Sequence, residues 1–293
     1  MRAYVPFLVG CSLLAACTKG VRINIPPDRA MPVMTTIITS DTTFAADLSY
    51  SRPVLEAGKD YPAIKDATVR LFVDDVFTET LTGRETPQSY QYFSTYKPAA
   101  GQKLRIEAKL KDQLLNGTTI IPAKPEAIPG RAYRTEGDGF GNKTYKISFT
   151  INDRAGTHDY YQLHIFPVHN GVPDRQKPVA FIIENLKTQE GGIFDDFITP
   201  DPAGAHYFDD GPFNGQRFTV QVKSRYPGDF DKIAIQLSAL SKEAYLYFKS
   251  IQLQQLRNDD PLYEKVTIYS NIVNGLGIAG SANRTLVLQE LEK

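Results

Sequence analysis

Residues 104–110 read Leu104-Arg105-Ile106-Glu107-Ala108-Lys109-Leu110, so apolar and charged side chains alternate without interruption. Successive side chains of a β-strand point to opposite faces of the sheet. The alternation therefore places every apolar group of this stretch on one face and every charge on the other. The stretch predicts a strand with one buried face and one solvent face.

Other segments of the first half have the apolar and β-branched composition of strands and are separated by turn residues. The predicted strands span residues 33–40, 68–73, 76–81, 103–110 and 118–121. Asp74 and Asp75 separate two of them, and aspartate tolerates the left-handed backbone of a two-residue hairpin turn. Short strands at this spacing predict an immunoglobulin-like β-sandwich over residues 33–122.

A stretch rich in proline and glycine follows, and it predicts a linker over residues 123–143. Residues 144–293 form a predicted second domain, which is again rich in strand patterns. Its predicted strands span residues 145–151, 160–168, 178–184, 217–223, 232–240, 266–269 and 285–288.

One helix is predicted in the second domain, over residues 242–256. Ser241 can cap its first turn, and Ala244, Phe248 and Ile251 recur at helical spacing on one face. The predicted fold class is mainly β, with an N-terminal immunoglobulin-like sandwich and a second antiparallel β domain that carries one packed α-helix.

The N-terminus has the layout of a secretory signal. A positive charge at Arg2 precedes an apolar run that is too short to cross a bilayer as a permanent helix. The segment Leu14-Ala15-Ala16-Cys17 matches the lipobox that lipoprotein signal peptidase recognises. We expect a signal peptide over residues 1–16, cleavage between Ala16 and Cys17, and acylation of Cys17 with chains such as palmitate. An ordinary signal peptide with a chance cysteine is the alternative.

The segment after the cleavage site, residues 17–32, is a predicted tether, because its prolines favour extended backbone. Two or more acyl chains hold a protein stably at a membrane. No later apolar run approaches membrane-spanning length. We therefore expect a body that is anchored to a membrane by lipid.

The composition excludes several classes of function. The 293 residues include 33 Lys and Arg and 33 Asp and Glu, so no basic balance indicates a nucleic-acid partner. The two cysteines are Cys11, in the predicted signal peptide, and the acylated Cys17. A mature chain without a free thiol cannot use thiol catalysis, disulfides or cysteine-based metal sites.

Three stretches of the second half carry a resemblance to a known family. They read Phe208-Asp-Asp-Gly-Pro-Phe-Asn-Gly215, Leu240-Ser-Lys-Glu-Ala-Tyr-Leu-Tyr247 and Tyr269-Ser-Asn-Ile-Val-Asn-Gly275-Leu-Gly277-Ile-Ala-Gly280. Residues 62–74 and 98–107 of the first half add to them. In this order and spacing, the chain resembles the lipoprotein family of the Bacteroidota catalogued as domain of unknown function 4249. The resemblance implies an envelope lipoprotein with no established activity, often paired with TonB-dependent outer-membrane receptors. It therefore also implies an anchor in the outer membrane, on either its periplasmic or its cell-surface face.

The glycines at residues 275, 277 and 280 match the dinucleotide-binding pattern in their spacing. That mechanism needs a strand before the glycines and a helix after them, whose N-terminus holds the pyrophosphate. The residues that follow Gly280 have the composition of a strand, so we predict a tight loop between strands instead.

The densest polar cluster of the sequence is a candidate cation site, since calcium takes several oxygen ligands from closely spaced carboxylates. Its candidate ligands are Asp195, Asp196, Asp201, His206, Asp209 and Asp210. Turn and cap chemistry is the alternative, because aspartate pairs elsewhere in the chain lie at turns. The other histidines are His158, His164 and His169, which we expect to be exposed or partly packed.

The sequence contains neither a His-Glu-x-x-His zinc motif nor a Gly-x-Ser-x-Gly elbow. We therefore expect a protein without enzymatic activity or cofactor, which assists or binds a TonB-dependent transporter. A glycan- or peptide-binding module with a tyrosine-rich surface is the alternative. A carboxylate-based hydrolase is a further one, because such pairs leave no local signature. Thr42, after Asp41, resembles an O-glycosylation site, with turn chemistry as the alternative.

Overall fold

The computed structural model of the chain describes residues 30–52, 61–135, 143–186, 204–226, 228–257 and 266–292. The predicted signal peptide, with Ala16 and Cys17, lies outside them. No helix in these ranges has the length and apolar character that crossing a bilayer requires.

The first half of the chain is built from nine strands. They are β1 (Pro32–Thr39), β2 (Ala45–Tyr50), β3 (Thr68–Val73), β4 (Val76–Thr80), β5 (Thr82–Glu85), β6 (Tyr90–Phe93), β7 (Lys103–Lys109), β8 (Leu114–Ile120) and β9 (Glu126–Thr135).

The second half adds eight strands and one helix within the described residues. They are β10 (Lys143–Asn152), β11 (Tyr160–His169), β12 (Val172–Pro173), β13 (Phe181–Ile183), β14 (His206–Asp209), β15 (Arg217–Tyr226), β16 (Lys232–Leu240), α1 (Lys242–Arg257) and β17 (Leu276–Glu290). The mainly β class is confirmed.

The strands form three sheets, of which the largest extends through both halves of the chain. Its order is β12-β11-β16-β17-β1-β2-β6-β5, and β14 pairs with β11 in addition. The second sheet has the order β4-β3-β7-β8, and the third has the order β13-β15-β10-β9. The first half and the last strand of the chain therefore belong to one sheet, although the division into two domains stays a prediction.

Each smaller sheet covers part of the nine-stranded sheet and encloses a core. Met34 and Leu48 of the large sheet share the first core with Leu71 and Ile106 of the second sheet. The second core lies between β11 and β16 on one side and β10 and β15 on the other, and it contains the fully buried Phe149. The two-layer packing of the first half agrees with the predicted sandwich, and its immunoglobulin-like topology stays a prediction.

The parallel pairing of β1 with β17, from Val33 with Leu276 to Thr39 with Ala282, joins the two halves. It requires glycine at position 277, where φ is +109° and a Cβ would overlap the carbonyl oxygen of Met34. At Gly280 a Cβ would meet the Cβ of Ala244 at 2.9 Å, so this glycine lets α1 lie close to the sheet. The glycines serve backbone approach, for which the absence of a side chain is the requirement.

Two local predictions are confirmed. Asp74 and Asp75 have φ of 51° and 66°, as a two-residue turn with left-handed backbone requires, and they join β3 to β4. The helix begins after Ser241, whose Oγ accepts a hydrogen bond from the Ala244 N–H at 3.2 Å. It extends one residue past the predicted end, to Arg257.

Other local predictions are wrong. The glycine segment 275–280 is not a loop, because Leu276 and the residues after it already form β17. Residues 266–269 form no strand, and the strand predicted at 178–184 is limited to Phe181–Ile183. The segment predicted as a linker, 123–143, contains the ten-residue strand β9.

Candidate functional site

The loop after β14 meets the turn between β10 and β11, and three aspartates converge there. Tyr160, the first residue of β11, pairs with Asp209, the last residue of β14. The next residue along, Asp210, is joined to Asp159 in both directions. The Asp159 N–H donates to Asp210 Oδ2 at 2.9 Å, and the Asp210 N–H donates to the Asp159 carbonyl at 3.1 Å. Strand pairing therefore places the carboxylate of Asp210 beside the turn.

The carboxylate of Asp210 is completely buried. Its Oδ2 accepts a second hydrogen bond, from Asn214 Nδ2 at 2.9 Å. Its Oδ1 accepts no hydrogen bond of good geometry, but it lies 2.6 Å from Nδ1 of the exposed His158. Burial raises the pKa of Asp210 above its ordinary value of 3.8, and the opposing effects of the Asp159 N–H and of His158 only reduce that rise.

The two other aspartates have partners of their own. Asp159 accepts hydrogen bonds from Arg154 Nη2 at 2.9 and 3.1 Å, and its Oδ2 also accepts one from the Thr157 hydroxyl at 3.1 Å. Asp153 accepts hydrogen bonds from the Tyr161 hydroxyl at 2.5 Å and from the Gly215 N–H at 2.8 Å. Each carboxylate thus holds a different part of the two connecting segments.

Aromatic rings beneath the cluster fix the loop to the core. Phe213 is buried and stacks on Phe218 at a centroid distance of 4.5 Å. The ring of Tyr161 lies 5.5 Å from that of Phe208. Burial raises the pKa of Tyr161, and its hydrogen bond to Asp153 raises that pKa further, so the phenol stays a neutral donor. The loop after β14 is therefore held on one side by aromatic packing and on the other by hydrogen bonds to the aspartates. We call the three aspartates 153, 159 and 210, together with His158, the aspartate cluster.

Two groups of side chains in the described ranges have ligand atoms close enough to share a cation, within 4.8 Å of one another. One is His158, Asp209 and Asp210, and the other is Asp153, Asp159 and Asp210. Protein donors already point at these carboxylates, and a cation would have to displace several of them. The geometry therefore fits a network of protein hydrogen bonds better than a calcium site.

A second motif, residues 270–275, connects β8 of the second sheet to β17. The side chain of Asn271 donates to the carbonyls of Thr118 at 3.0 Å and Ala279 at 2.9 Å, and it accepts from the Ala279 N–H at 2.9 Å. Asn274, with φ of 60°, donates from its side chain to the Leu114 carbonyl at 3.0 Å. These amides join two sheets without any charge.

The same motif has no arrangement for a dinucleotide. Gly275 comes directly before β17, Gly277 and Gly280 lie within that strand, and no helix begins after Gly280 in the residues that the structure describes. The predicted exclusion of a dinucleotide site agrees with this geometry, although its physical reason is close strand pairing and not a tight loop.

The model of the family described as Domain of unknown function (DUF4249) matches residues 18–286. The chain belongs to this family. No curated protein matches it.

Two solved structures are similar to this DUF4249 chain, with low sequence identity and low TM-scores. A putative membrane anchored protein from Corynebacterium diphtheriae has 9% identity and a TM-score of 0.22, over 90% of this chain and 60% of that one. A structure of manganese lipoxygenase of Gaeumannomyces graminis, with part of zonadhesin of Komagataella pastoris, has 11% identity and a TM-score of 0.19. It covers 73% of this chain and 90% of that one. Neither likeness carries an argument on fold or function.

The six candidate cation ligands predicted from the sequence do not come together as one site in the residues that the structure describes. Asp209 and Asp210 belong to the groups described above. His206 belongs to neither; its Nε2 lies 2.6 Å from the Phe181 carbonyl, and its ring stacks on that of Phe181. The remaining three candidates, Asp195, Asp196 and Asp201, lie outside the described residues.

Sequence reasoning missed the contact between His158 and Asp210, which are 52 positions apart. The expectation that the histidines are exposed or partly packed is confirmed, since His158 and His169 are exposed and His164 is half-buried. Only the pairing of β14 with β11 brings His158 to the loop, and β14 is a four-residue strand without a clear local pattern.

Thr42 is exposed in the turn after β1, and its hydroxyl donates to the Thr39 carbonyl at 3.1 Å. Asp41 beside it has φ of 59°, which is the left-handed backbone of a turn. Turn chemistry thus explains these two residues, and O-glycosylation of Thr42 stays a prediction.

Proposed function

We propose that the chain is a lipid-anchored envelope protein that assists or binds a TonB-dependent receptor of the outer membrane and does no chemistry of its own. The lipobox ending at Cys17 supports the anchor, and the family resemblance supports the partner. The signal peptide, the acyl chains and the outer-membrane location are parts of the same proposal.

One observation carries the non-enzymatic part of the proposal. In the ranges that the structure describes, one or more polar side chains of each distinctive motif make internal hydrogen bonds. Asp210 holds the turn before β11, Ser241 caps α1, and Asn271 joins two sheets. A hydrolase that works with two carboxylates keeps them apart, with room for a water or a sugar ring between them. In the aspartate cluster, by contrast, oxygens of Asp153, Asp159 and Asp210 lie within 4.8 Å of one another, and each of the three carboxylates accepts hydrogen bonds from protein donors.

A partner role also fits the sheet architecture. Rigid β-sheets present fixed surfaces, and a lipid anchor keeps the body within reach of membrane proteins, which raises its effective concentration there. An accessory protein of this kind gains its binding from proximity as well as from contact.

The proposal is tested by crosslinking in native outer membranes, followed by purification of the tagged chain and identification of its partners. We expect a TonB-dependent receptor to co-purify with the wild type. Cys17→Ala should lose both the acyl chains and the receptor, while Cys11→Ala, which alters only the signal peptide, should lose neither. Recovery of the acylated protein without any receptor would contradict the proposed partnership.

A further inference from the structure

One end of the molecule gathers the starts of several strands. β1 begins at Pro32, which pairs with Tyr50 at the end of β2. Val33 pairs with Leu276 at the start of β17. The start of β8 lies at the same end, since the Leu114 carbonyl accepts a hydrogen bond from the side chain of Asn274, two residues before β17. We call this the entry end, because the chain that follows Cys17 enters the fold there.

The entry end exposes large apolar side chains. Their exposed fractions range from 36% for Tyr50 to 61% for Tyr61. They form what we call the entry patch: Met31, Tyr50, Tyr61, Leu114, Val273 and Leu276.

Hydrogen bonds hold members of the patch close together. The Val273 N–H donates to the Asn116 carbonyl at 2.8 Å, which places Val273 beside the start of β8. The Ser51 N–H donates to the Met31 carbonyl at 2.7 Å, so Met31 lies beside the end of β2. The pairings and hydrogen bonds therefore place the six residues around one end of the molecule. Exposed apolar groups gathered in one region indicate an interaction site, whereas scattered ones do not.

The patch consists of aliphatic and tyrosine side chains and contains no charged residue. Arg52 lies over the ring of Tyr61, at 4.5 Å from its centroid. The turn between β7 and β8 carries Lys111 and Asp112 side by side. Tyrosine combines an apolar ring with a polar hydroxyl, and it is enriched where a membrane meets water. This composition suits insertion of apolar groups into the headgroup region more than attraction by charge.

The position of the proposed anchor decides what covers the patch. Met31 follows Cys17 by 14 residues, and a fully extended segment of that length spans at most about 50 Å. If Cys17 is acylated, the entry end is the part of the body that its tether joins to the bilayer.

On the basis of the proposed lipid anchor, we propose that the entry patch binds the surface of the lipid bilayer. The body then stands on its entry end, and the far ends of β11 and β16 point away from the membrane. The docking adds apolar burial to the anchoring by acyl chains, and it fixes the orientation in which a partner meets the protein.

The opposite end supplies a matched control. Val168, near the end of β11, pairs with Lys232, which pairs with Glu290 at the end of β17. Val172, the first residue of β12, follows the next turn and is 66% exposed, against 52% for Val273. The fifteen residues of β17 span about 45 Å. Val273 lies near the first of them and Val172 lies on the side of the last, so the two valines are near opposite ends of this strand.

The test places a fluorescent probe on single cysteines in the acylated full-length protein. Acylation blocks Cys17, so an introduced cysteine is the one reactive thiol of the mature chain. Val273→Cys and Leu114→Cys report on the patch, and Val172→Cys is the control. The proteins are reconstituted in vesicles of phosphatidylethanolamine and phosphatidylglycerol, with and without lipids that carry a quencher near the headgroup. Mass spectrometry checks the acylation, and circular dichroism checks the fold.

We expect both patch probes to lose about half of their emission with quencher lipids, as insertion by about 5–10 Å implies, and the control probe to lose almost none. An acylated protein whose patch probes behave like the control overturns the docking and leaves the proposed anchor intact. An unacylated Cys17 overturns the anchor and the docking together. Patch probes that stay unquenched in vesicles, but are shielded from aqueous iodide in native outer membranes, overturn a lipid partner in favour of a protein.

Discussion

Two motifs of this chain, residues 208–215 and residues 270–275, both tie distant segments together, but they use different chemistry. The first depends on the buried carboxylate of Asp210, with His158 at 2.6 Å and two hydrogen bonds to its other oxygen. The second depends on the neutral amide of Asn271 and on backbone contacts that only glycine permits. A charged network responds to pH, whereas an amide network does not. The comparison teaches that distinctive polar residues can serve the fold in two physically separable ways.

The largest effect is expected at the parallel contact between β1 and β17. Gly277→Ala should reduce the free energy of unfolding by about 4 kcal/mol or more, because its Cβ would overlap a backbone carbonyl as well as strain the positive φ. Urea denaturation measures the loss. Gly101→Ala is the matched control, since Gly101 also has a positive φ, of 86°, but no atom lies within 4 Å of its added Cβ. This control should lose only about 1 kcal/mol. Equal losses would show that backbone strain, and not close strand approach, dominates at Gly277.

The charged motif should be next in size. Asp210→Ala leaves the Asp159 N–H and the Asn214 amide without their acceptor in a buried site, so we expect a loss of about 3 kcal/mol in urea denaturation. Asp210→Asn keeps one acceptor oxygen and should lose less than half as much.

The same pair of variants separates a structural cluster from a cation site. If protein donors occupy the carboxylates as described, neither calcium nor EDTA changes the Tm of the wild type. A Tm that rises with calcium in the wild type but not in Asp210→Asn would show instead that the aspartate cluster binds the cation.

The neutral motif gives the third effect. Asn271→Ala removes two donors and one acceptor that join β8 to β17, and we expect a loss of about 2 kcal/mol that is the same at pH 5 and pH 8. Asn271→Asp should be less stable than the alanine variant at pH 8, because its carboxylate would face two carbonyl oxygens. A strong pH dependence of the alanine variant would break the distinction between the two motifs.

Local features of the fold could be predicted from the sequence. The turn at Asp74 and Asp75 and the cap at Ser241 depend on neighbouring residues alone, and both are confirmed. Strands with clean alternation, such as β7, were placed within one residue. Prolines and a glycine predicted a linker where the structure has the strand β9. This strand lies at the edge of its sheet. Pro129 is tolerated there because edge positions need fewer ladder hydrogen bonds.

Long-range features could not be predicted in this way. The pairing of β1 with β17 joins Val33 to Leu276, and no local pattern specifies such a distant partner. The glycines of β17 resemble those of a turn in the sequence. The structure requires them for another reason, which is the close approach of backbone from elsewhere in the chain. For the candidate site, Asp209 and Asp210 were identified, but Asp153 and His158 reach them only through strand pairing. Residue type can predict chemistry, whereas topology decides which side chains meet.

The smallest effect on stability is expected at Glu79 of β4, a carboxylate that can be compared with Asp210. Its carboxylate accepts hydrogen bonds from the Ser94 hydroxyl, the Thr95 N–H at 3.0 Å and the Thr95 hydroxyl at 2.7 Å. Burial alone would raise the pKa of Glu79, but these hydrogen bonds outweigh it and hold the pKa below its ordinary value of 4.5. A carboxyl whose pKa is lowered by folding stabilises the fold above its ordinary pKa. That contribution is lost as the pH falls through the lowered value.

Glu79→Gln should therefore cost about 1 kcal/mol at pH 7 and almost nothing once the wild-type carboxyl is protonated. Urea denaturation of the wild type and of Glu79→Gln, from pH 7 down to a pH at which the carboxyl is protonated, measures the difference. Asp210 should show the opposite slope, because its pKa is raised: the advantage of the wild type over Asp210→Asn falls as the pH rises from 3.8 through the raised value. Parallel slopes for the two carboxylates would mean that burial does not distinguish them. Opposite slopes would show that one network stabilises a charge, whereas the other tolerates a charge at a cost.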